Sequence, residues 1–446
     1  MAFEPSADPD LRAAGLSVVE TPSQRLRVEP ESVEAGARRG RGGQVNLVCL
    51  GYNPWSPMWK RNQSLVAELA RRPWVRRVLF VNPDVWLGAL VRNPRRELSG
   101  LRWFYWKGIK PYRAAANTVV FTLCHWPYAG RSRAIGAFER RLVAAMTRRF
   151  TADPYVLLVN RPEDPEGPLV APLFERASLR VFDWSDDFEE LVDREDERNE
   201  FRDHCAFFLR RCDLVLAVNE RLARRARPYG RAVEVVRNAT HYDILARAAS
   251  PDIEVAEALR RLPRPIIGYM GWLNRARLSS EILEALVAAR PSWSFVFLGP
   301  MTSDQPLGDR LPLAPNVHVL RPVPYEQLPH YLAGFDVCIL PNRINAYTDG
   351  NDPLKLYDYL AAGKPIVATR TAGIEGLEEV IRVAEDAPSF LAAVEEALCE
   401  RGDALRQRRQ QLARQHSWRT RARDVSARVA SMLGLEDGEA ADSGLV

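Results

Sequence analysis

Asn351-Asp-Pro-Leu-Lys355-Leu-Tyr-Asp358-Tyr-Leu-Ala-Ala-Gly363-Lys-Pro-Ile-Val367 reads as a helix that begins at an anion site and runs back into a buried strand. Asp352 is suited to cap this helix and Pro353 to take its first position, where no N–H is needed. Gly363 supplies the residue that closes it after about three turns, and Pro365-Ile-Val-Ala-Thr369 resumes as a strand. Lys355 falls in the first turn, where unpaired N–H groups and the helix dipole already favour phosphate. Asp358, on the same face, could accept hydrogen bonds from a ribose. A phosphate clamp beside a sugar acceptor describes a nucleotide-sugar site. A solvated Lys–Asp pair on an ordinary helix is the plainer alternative for this segment taken alone.

The sequence before it repeats a strand and helix rhythm. Arg264-Pro-Ile-Ile-Gly-Tyr-Met-Gly271 is a strand entering a glycine loop, and residues 281–289 read as the helix that follows. Residues 293–300, 316–322 and 336–341 are further short apolar runs ended by turn residues. Such alternation argues a parallel sheet with helices on both faces, with ligands gathered at the carboxyl ends of the strands. Gly271, Pro300, Asn342 and the Lys355 helix start each follow a strand, so they are expected to line one crevice.

The first half has the same rhythm, with strands expected over residues 44–50, 77–82, 119–123, 155–159, 179–182 and 214–218 and a helix over 62–72. After the first of these strands, Gly51-Tyr-Asn-Pro-Trp55 lacks the Gly-x-Gly-x-x-Gly spacing of a dinucleotide loop, which disfavours a nicotinamide enzyme. A chain of 446 residues exceeds one ordinary core and suggests two domains. Its 46% hydrophobic and 27% charged residues are those of a globular protein. No apolar run approaches the roughly 18 residues of a membrane span, and the N-terminus lacks a basic segment followed by an apolar one, so neither a transmembrane helix nor export is expected. Residues 1–43, rich in Pro, Gly, Glu and Arg, read as a disordered lead. The six cysteines are scattered, which suits buried thiols in a reducing cytoplasm, and the six histidines show no metal spacing.

Taken in order, Gly268-Tyr-Met-Gly271, Phe297-Leu-Gly-Pro300, Asn316-Val-His318, Pro324-Tyr-Glu-Gln-Leu-Pro-His-Tyr331, Asp336-Val-Cys-Ile-Leu-Pro-Asn342 and Asp352 to Pro365 resemble the donor half of two-domain (GT-B) glycosyltransferases. Within that group the chain is most similar to the teichuronic acid type and its relative, the xanthan glucuronosyltransferase. The resemblance continues through Val181 to Phe188, Cys212 to Asn219, Val236 to Ala239 and Ser417-Trp418, and so covers roughly residues 44 to 434. It implies an α/β fold of two doubly wound, Rossmann-like domains facing a cleft. The boundaries expected from it are an acceptor domain at 44–245, a donor domain at 246–415, a helix at 416–434 returning to the first domain, and a tail at 435–446.

It also implies hexosyl transfer from a nucleoside-diphosphate sugar, UDP first, to a glycan, lipid-linked or other hydroxylated acceptor, with no metal or other cofactor. The departing diphosphate would be neutralised by basic side chains and helix N-termini. Lys355 is the first candidate, followed by Arg275 and Arg277, which read equally well as surface charges. The base must come from the acceptor side. Asp186 is preferred, then Asp187, with Asp183 orienting, although these acids could also simply cap the next helix. Tyr52, Arg61, His125 and Asp183 are expected on the acceptor side, His125 more as a structural histidine than as a contact. Retaining members of the group carry two acids eight positions apart. Here Gly350 stands eight before Asp358, with Asp349 one place away, so inversion is the better expectation unless a loop shift brings Asp349 into use.

Residues 86–113 interleave Trp86, Trp103, Phe104, Tyr105, Trp106 and Tyr112 with Arg92, Arg95, Arg96, Arg102, Lys107, Lys110 and Arg113. That pattern suits an anionic membrane boundary at the inner face, and equally an Arg-rich surface with core aromatics. Nucleic acid is not an expected partner, since no binding motif accompanies the patch. Two rival readings are a metal-dependent GT-A transferase with Asp183, Asp186 and Asp187 around Mg²⁺ or Mn²⁺, and a sugar-binding or scaffolding protein with a lapsed donor site.

Overall fold

The computed structural model describes residues 43–98, 102–125, 133–192, 194–300, 311 and 314–438. The lead expected over 1–43 lies outside them apart from Gly43, as does the tail beyond residue 438. Val45-Asn-Leu-Val-Cys-Leu50 is buried at every position, as a central parallel strand must be when helices cover both of its faces. Its side chains alternate: Val45, Leu47 and Cys49 enter one core and Val48 and Leu50 the other.

This strand, β1 (Val45–Leu50), organises an eight-stranded sheet. Its partners are β2 (Val75–Trp86), β3 (Tyr112–Ala115), β4 (Thr118–His125), β5 (Tyr155–Val159), β6 (Leu179–Trp184), β7 (Leu214–Ala217) and β8 (Ala232–Val235). The order is β3-β4-β2-β1-β5-β6-β7-β8, parallel except for the β3–β4 pair. The second sheet has β9 (Ile266–Met270), β10 (Ser294–Leu298), β11 (Val317–Leu320), β12 (Val337–Leu340), β13 (Ile366–Thr369) and β14 (Arg382–Ala384). Its order is β11-β10-β9-β12-β13-β14, parallel throughout. In both sheets the order of successive strands reverses beside the first strand, between β1 and β5 and between β9 and β12, and such points open a crevice at the carboxyl ends of the strands.

Five helices matter for the site: α1 (Arg61–Leu69), α2 (Glu195–Arg211), α3 (Glu220–Ala226), α4 (Leu354–Ala361) and α5 (Trp418–Leu433). Ser417 caps α5 by accepting from the Thr420 N–H. Its apolar face of Trp418, Ala422, Val425 and Val429 then packs into the first-half core beside Leu65, Leu69 and Trp74. Trp74 Nε1 donates to Ser426 Oγ at 2.8 Å, so that helix packs on α1 and is hydrogen-bonded to the turn between α1 and β2.

The strands β3, β8 and β14 were not foreseen. They are short and lie at or next to sheet edges, where no run of alternating apolar residues is needed. The aromatic and basic stretch forms helices at Leu87–Arg92, Pro94–Glu97 and Trp103–Lys107 and then β3. Among the described residues no helix is long and apolar enough to cross a membrane.

Candidate active site

The crevice is built where the two sheets meet, and its floor is the start of α4. That helix begins at Leu354, with Pro353 in the cap position and no side-chain cap. Asp352, read from sequence as the cap, has another task. Its carboxylate is buried and accepts from the Asn238 N–H at 2.6 Å, from Arg237 Nη2 at 3.1 Å and from the Tyr357 hydroxyl at 2.9 Å. Asp352 therefore fastens α4 to the segment leaving β8.

The Leu356 N–H bonds the Pro353 carbonyl at 3.0 Å, but no side chain among the described residues caps the first turn of α4, so the N–H groups of Leu354 and Lys355 remain for a ligand. The Lys355 ammonium donates to the Tyr269 hydroxyl at 2.9 Å. Gly271 makes room for it: a Cβ there would lie 2.8 Å from Lys355 Cε, and the glycine's φ of +131° suits no other residue. Burial and the charge of Arg277 lower the Lys355 pKa to about 7, against a smaller opposing effect of Asp358. Arg277 lies with its guanidinium 5.2 Å from the Tyr347 ring centre.

A third cation comes from the other half and was missed in the sequence. Lys60 immediately precedes α1, and burial, then Lys355 and Arg277, lower its pKa to about 8. The chain around it is firmly placed. Trp59 stacks edge-on to His241 at 4.9 Å, and Arg61 Nη1 donates to Asn238 Oδ1, whose Nδ2 donates to the Asp352 carbonyl at 2.5 Å. Among the described residues none of Lys60, Arg277 and Lys355 has a carboxylate partner within ion-pair distance. Three like charges held together without counter-ions make a site for an anion.

Asp358 does not pair with Lys355. Its Oδ1 accepts from the Tyr325 hydroxyl at 2.6 Å and from Thr240 Oγ1 at 2.8 Å, while Oδ2 accepts no hydrogen bond among the described residues. Burial raises its pKa to about 6, with those two hydrogen bonds and the lysines opposing.

The three acids after β6 have separate fates. Asp183 is fully buried and held by Arg61, through Nε and Nη2, and by Asn160 Nδ2 at 2.6 Å. The expectation of Arg61 and Asp183 as acceptor contacts is therefore corrected: their hydrogen bonds go to each other, to Asn238 and to Asn160, and brace the junction. Asp187 is also buried and takes two bonds from Arg225 Nη1 on α3, at 2.8 and 2.9 Å. A carboxylate so engaged is a poor base, which removes Asp187 as second choice. Asp186 is different. Its Oδ1 is buried with no hydrogen-bond partner among the described residues, and burial raises its pKa to about 6, Arg277 opposing.

The remaining expected residues scatter. Arg275 is exposed and meets its surroundings through its carbonyl, which accepts from Arg343 Nη1, so it does not join the cation group. Asp349 is bound to Arg221 of α3 at 3.2 Å. The Pro300 carbonyl accepts from the Leu273 N–H and that of Asn342 from Thr369 Oγ1, so both shape the loops of the crevice through their backbone. Tyr52 lies edge-on to Phe188 at 5.4 Å, two residues past Asp186. His125 sits between Asp84, 2.5 Å away, and Glu139, 3.2 Å away. Although burial opposes its charge, these two carboxylates raise its pKa to about 9. Among the described residues no group of three or more His, Cys, Asp or Glu is placed to hold a metal ion.

Residues 264–400 match the family model for group 1 glycosyl transferases. The chain has the GT-B fold, and the family match lies in its C-terminal half. A Bacillus subtilis (strain 168) protein named as a teichuronic acid biosynthesis glycosyltransferase, TuaH, is 28% identical over 200 residues, which are 43% of this chain and 49% of that one. The chain thus spans about half the length of the curated relative it matches. Sucrose-phosphate synthase of Thermosynechococcus elongatus superposes with a TM-score of 0.65 at 14% identity, over 88% of this chain and all of that one. Anabaena HepE, solved with UDP and glucose, gives 0.59 at 14% identity over 87% of this chain and all of that one. A UDP-forming α,α-trehalose-phosphate synthase of Burkholderia xenovorans, solved with glucose-6-phosphate, gives 0.59 at 13% identity over 88% and 100%. The two facing parallel sheets of this GT-B chain set aside the GT-A alternative. In GT-B terms, β9 to β14 carry Lys355, Arg277 and Asp358, and β1 to β8 bring Lys60 and Asp186 to the same crevice.

Proposed function

We propose that this protein transfers a sugar from a nucleoside diphosphate, UDP first, to a hydroxyl of a glycan or lipid-linked glycan, with inversion and without a metal. The observation that carries the reading is the convergence of Lys60, Arg277 and Lys355, none with a carboxylate partner among the described residues, on the start of α4 beside the unpartnered Asp186 oxygen. The diphosphate lies against the cations and the α4 N–H groups. Asp186 takes the proton of the acceptor hydroxyl, the oxygen attacks the anomeric carbon, and the bond to the diphosphate breaks with its electron pair leaving on phosphate. Charge developing there is held by Lys355, Lys60 and Arg277. A pKa of about 6 leaves Asp186 ionised near neutrality yet basic enough to act.

Inversion follows from a base on the acceptor half facing a leaving group on the donor half, and is supported by Gly350 standing where retaining enzymes have an acid. The UDP-glucose complex of HepE supports UDP as the first donor to test. A membrane-borne acceptor is supported by the exposed Val91, Trp103 and Ile109 among Arg92, Lys107 and Lys110. The test is a thermal-shift panel of UDP, GDP, dTDP and ADP in EDTA, followed by transfer assays with the matching sugar nucleotide. One nucleoside diphosphate should stabilise the wild type, and Lys355→Ala should abolish the effect. If none stabilises it, the donor site has lapsed and the reading falls.

A further inference from the structure

Beside the crevice, the first half holds a cavity of about 370 Å³ at the carboxyl ends of β2, β4 and β5, within the range of about 300–1,000 Å³ typical of ligand sites. Asp84 and His125 form one wall, Arg161 and Glu163 come from the loop after β5, and Phe201 and His204 from α2. The cavity is linked to the proposed base through rings. Phe201 stacks on Phe188 at 6.4 Å and 20°, and Phe188 lies two residues past Asp186 and against Tyr52.

The polar groups of this cavity are unequally committed. His125 is taken up by Asp84 and Glu139, and His204 Nδ1 by the Pro162 carbonyl at 3.3 Å. The Arg161 guanidinium lies 5.9 Å from the Phe201 ring centre. The partly buried Glu163 carboxylate has no hydrogen-bond or ion-pair partner among the described residues. Burial, and then the neighbouring Asp84 charge, raise its pKa to about 7. Among the described residues of the wall carboxylates outnumber cations, because Asp164, Glu200 and Glu197, the last paired with Arg194, join Asp84 and Glu163 against Arg161 and His125. An anion entering here meets like charge. A hydroxylated ring can instead donate to Glu163 and lay its apolar face on Phe201.

We infer that this cavity seats the acceptor sugar, and that the unit it takes is non-anionic, giving Glu163 a hydrogen bond from a hydroxyl or amino group while its ring rests on Phe201. The inference rests on the proposed transfer reaction and adds the substrate class. Its test is saturation-transfer NMR on the full chain with UDP present, using methyl glucoside, methyl glucosaminide, methyl glucuronide and glucose-6-phosphate. The two non-anionic glycosides should bind at least about tenfold more tightly than the two anions. Glu163→Gln and Phe201→Ala should each weaken glycoside binding at least about fivefold while the UDP thermal shift is kept. A larger loss for the glucosaminide in Glu163→Gln would identify the amine as the donor, and an equal loss the hydroxyl. Anions binding as well as glycosides, or both variants binding glycosides normally, would overturn the inference. So would a wild type that binds no sugar while UDP still stabilises it, and that result would leave the donor reading standing.

Discussion

Replacing Lys355 by methionine should make the empty protein more stable and deprive it of its donor. Burial and Arg277 lower the lysine's pKa from 10.5 to about 7. A shift of this size sets a ceiling of about 5 kcal/mol on the cost of keeping the ammonium in place, at about 1.4 kcal/mol per pH unit. The side chain keeps some solvent contact, so a realistic cost is about 2 kcal/mol. Methionine retains the stem packing against Gly271 and Tyr269. It strands no donor, because the Tyr269 hydroxyl itself donates to the Trp272 carbonyl at 3.1 Å. Melting of the ligand-free variant should therefore rise by about 4–8 °C, at about 2–4 °C per kcal/mol for a domain of this size. The pH dependence has a fixed sign. The folded-state value lies below the unfolded one, so the cost is fully present below pH 7 and gone above about 10.5; the gain should be largest near pH 6 and fade by pH 10. Donor affinity should fall about 10- to 150-fold for loss of a charged hydrogen bond of about 1.5–3 kcal/mol. Differential scanning fluorimetry across pH, with and without UDP, reads both. Unchanged or lower melting at pH 6 together with a retained UDP shift would refute the charge-burial argument and the phosphate role at once.

Asp186→Asn should keep UDP-sugar binding and lose about 10²–10⁴ in turnover; single-turnover transfer at saturating donor checks it, and wild-type rates would exclude Asp186 as base. Asp187→Asn should act on folding instead, lowering stability by about 1.5 kcal/mol in urea titrations, because Arg225 loses a charged hydrogen-bond partner yet keeps Glu189 and some solvent contact. Arg61→Met should cost about 3 kcal/mol, since it leaves the buried Asp183 carboxylate without a counter-charge and held by Asn160 alone; a stable, fully active variant would overturn its bracing role. Affinity for a UDP-sugar, whose diphosphate does not titrate near neutrality, should fall as pH rises through about 7 and then about 8, as Lys355 and Lys60 lose their protons; calorimetry showing no change between pH 6 and 9 would contradict it.

The donor half was legible because its signals are local. Ile266 to Met270 and Ile366 to Thr369 are apolar runs bounded by glycine and proline, and Gly363 closes α4 at φ +69°. What the sequence hid is carried by partners far apart in it. Lys60 and Lys355 are separated by 295 positions (355 − 60) yet share one charge cluster. Asp352 follows the spacing of a helix cap but meets Asn238 and Arg237, and no periodicity reports that competition. The run Asp183, Asp186, Asp187 looks like three equivalent candidates until Arg61 claims the first and Arg225 the last. A visible signal for Lys60 did exist: it precedes the helix after the first strand, as a cation at the opening of a switch point.

The same reasoning accounts for the break in the acidic pair. A Cβ on Gly350 would lie 3.2 Å from Asp187 Cβ and 3.4 Å from its Oδ2. The Gly350 carbonyl also accepts from Asn219 Nδ2 at 2.8 Å, and the preceding Asp349 is paired with Arg221. Position 350 is thus pressed against the first half, where a buried carboxylate is already balanced by Arg225 and lies 4.0 Å from Arg221. A glutamate there would bring a second negative charge into that balance and force Asp187 or the loop to move. The missing acid and the buried Asp187 are therefore two sides of one contact. With the donor-side position closed, Asp186 on the acceptor side is, among the described residues, the crevice's one acid with an unpartnered buried oxygen, which is the arrangement the proposed inverting displacement requires.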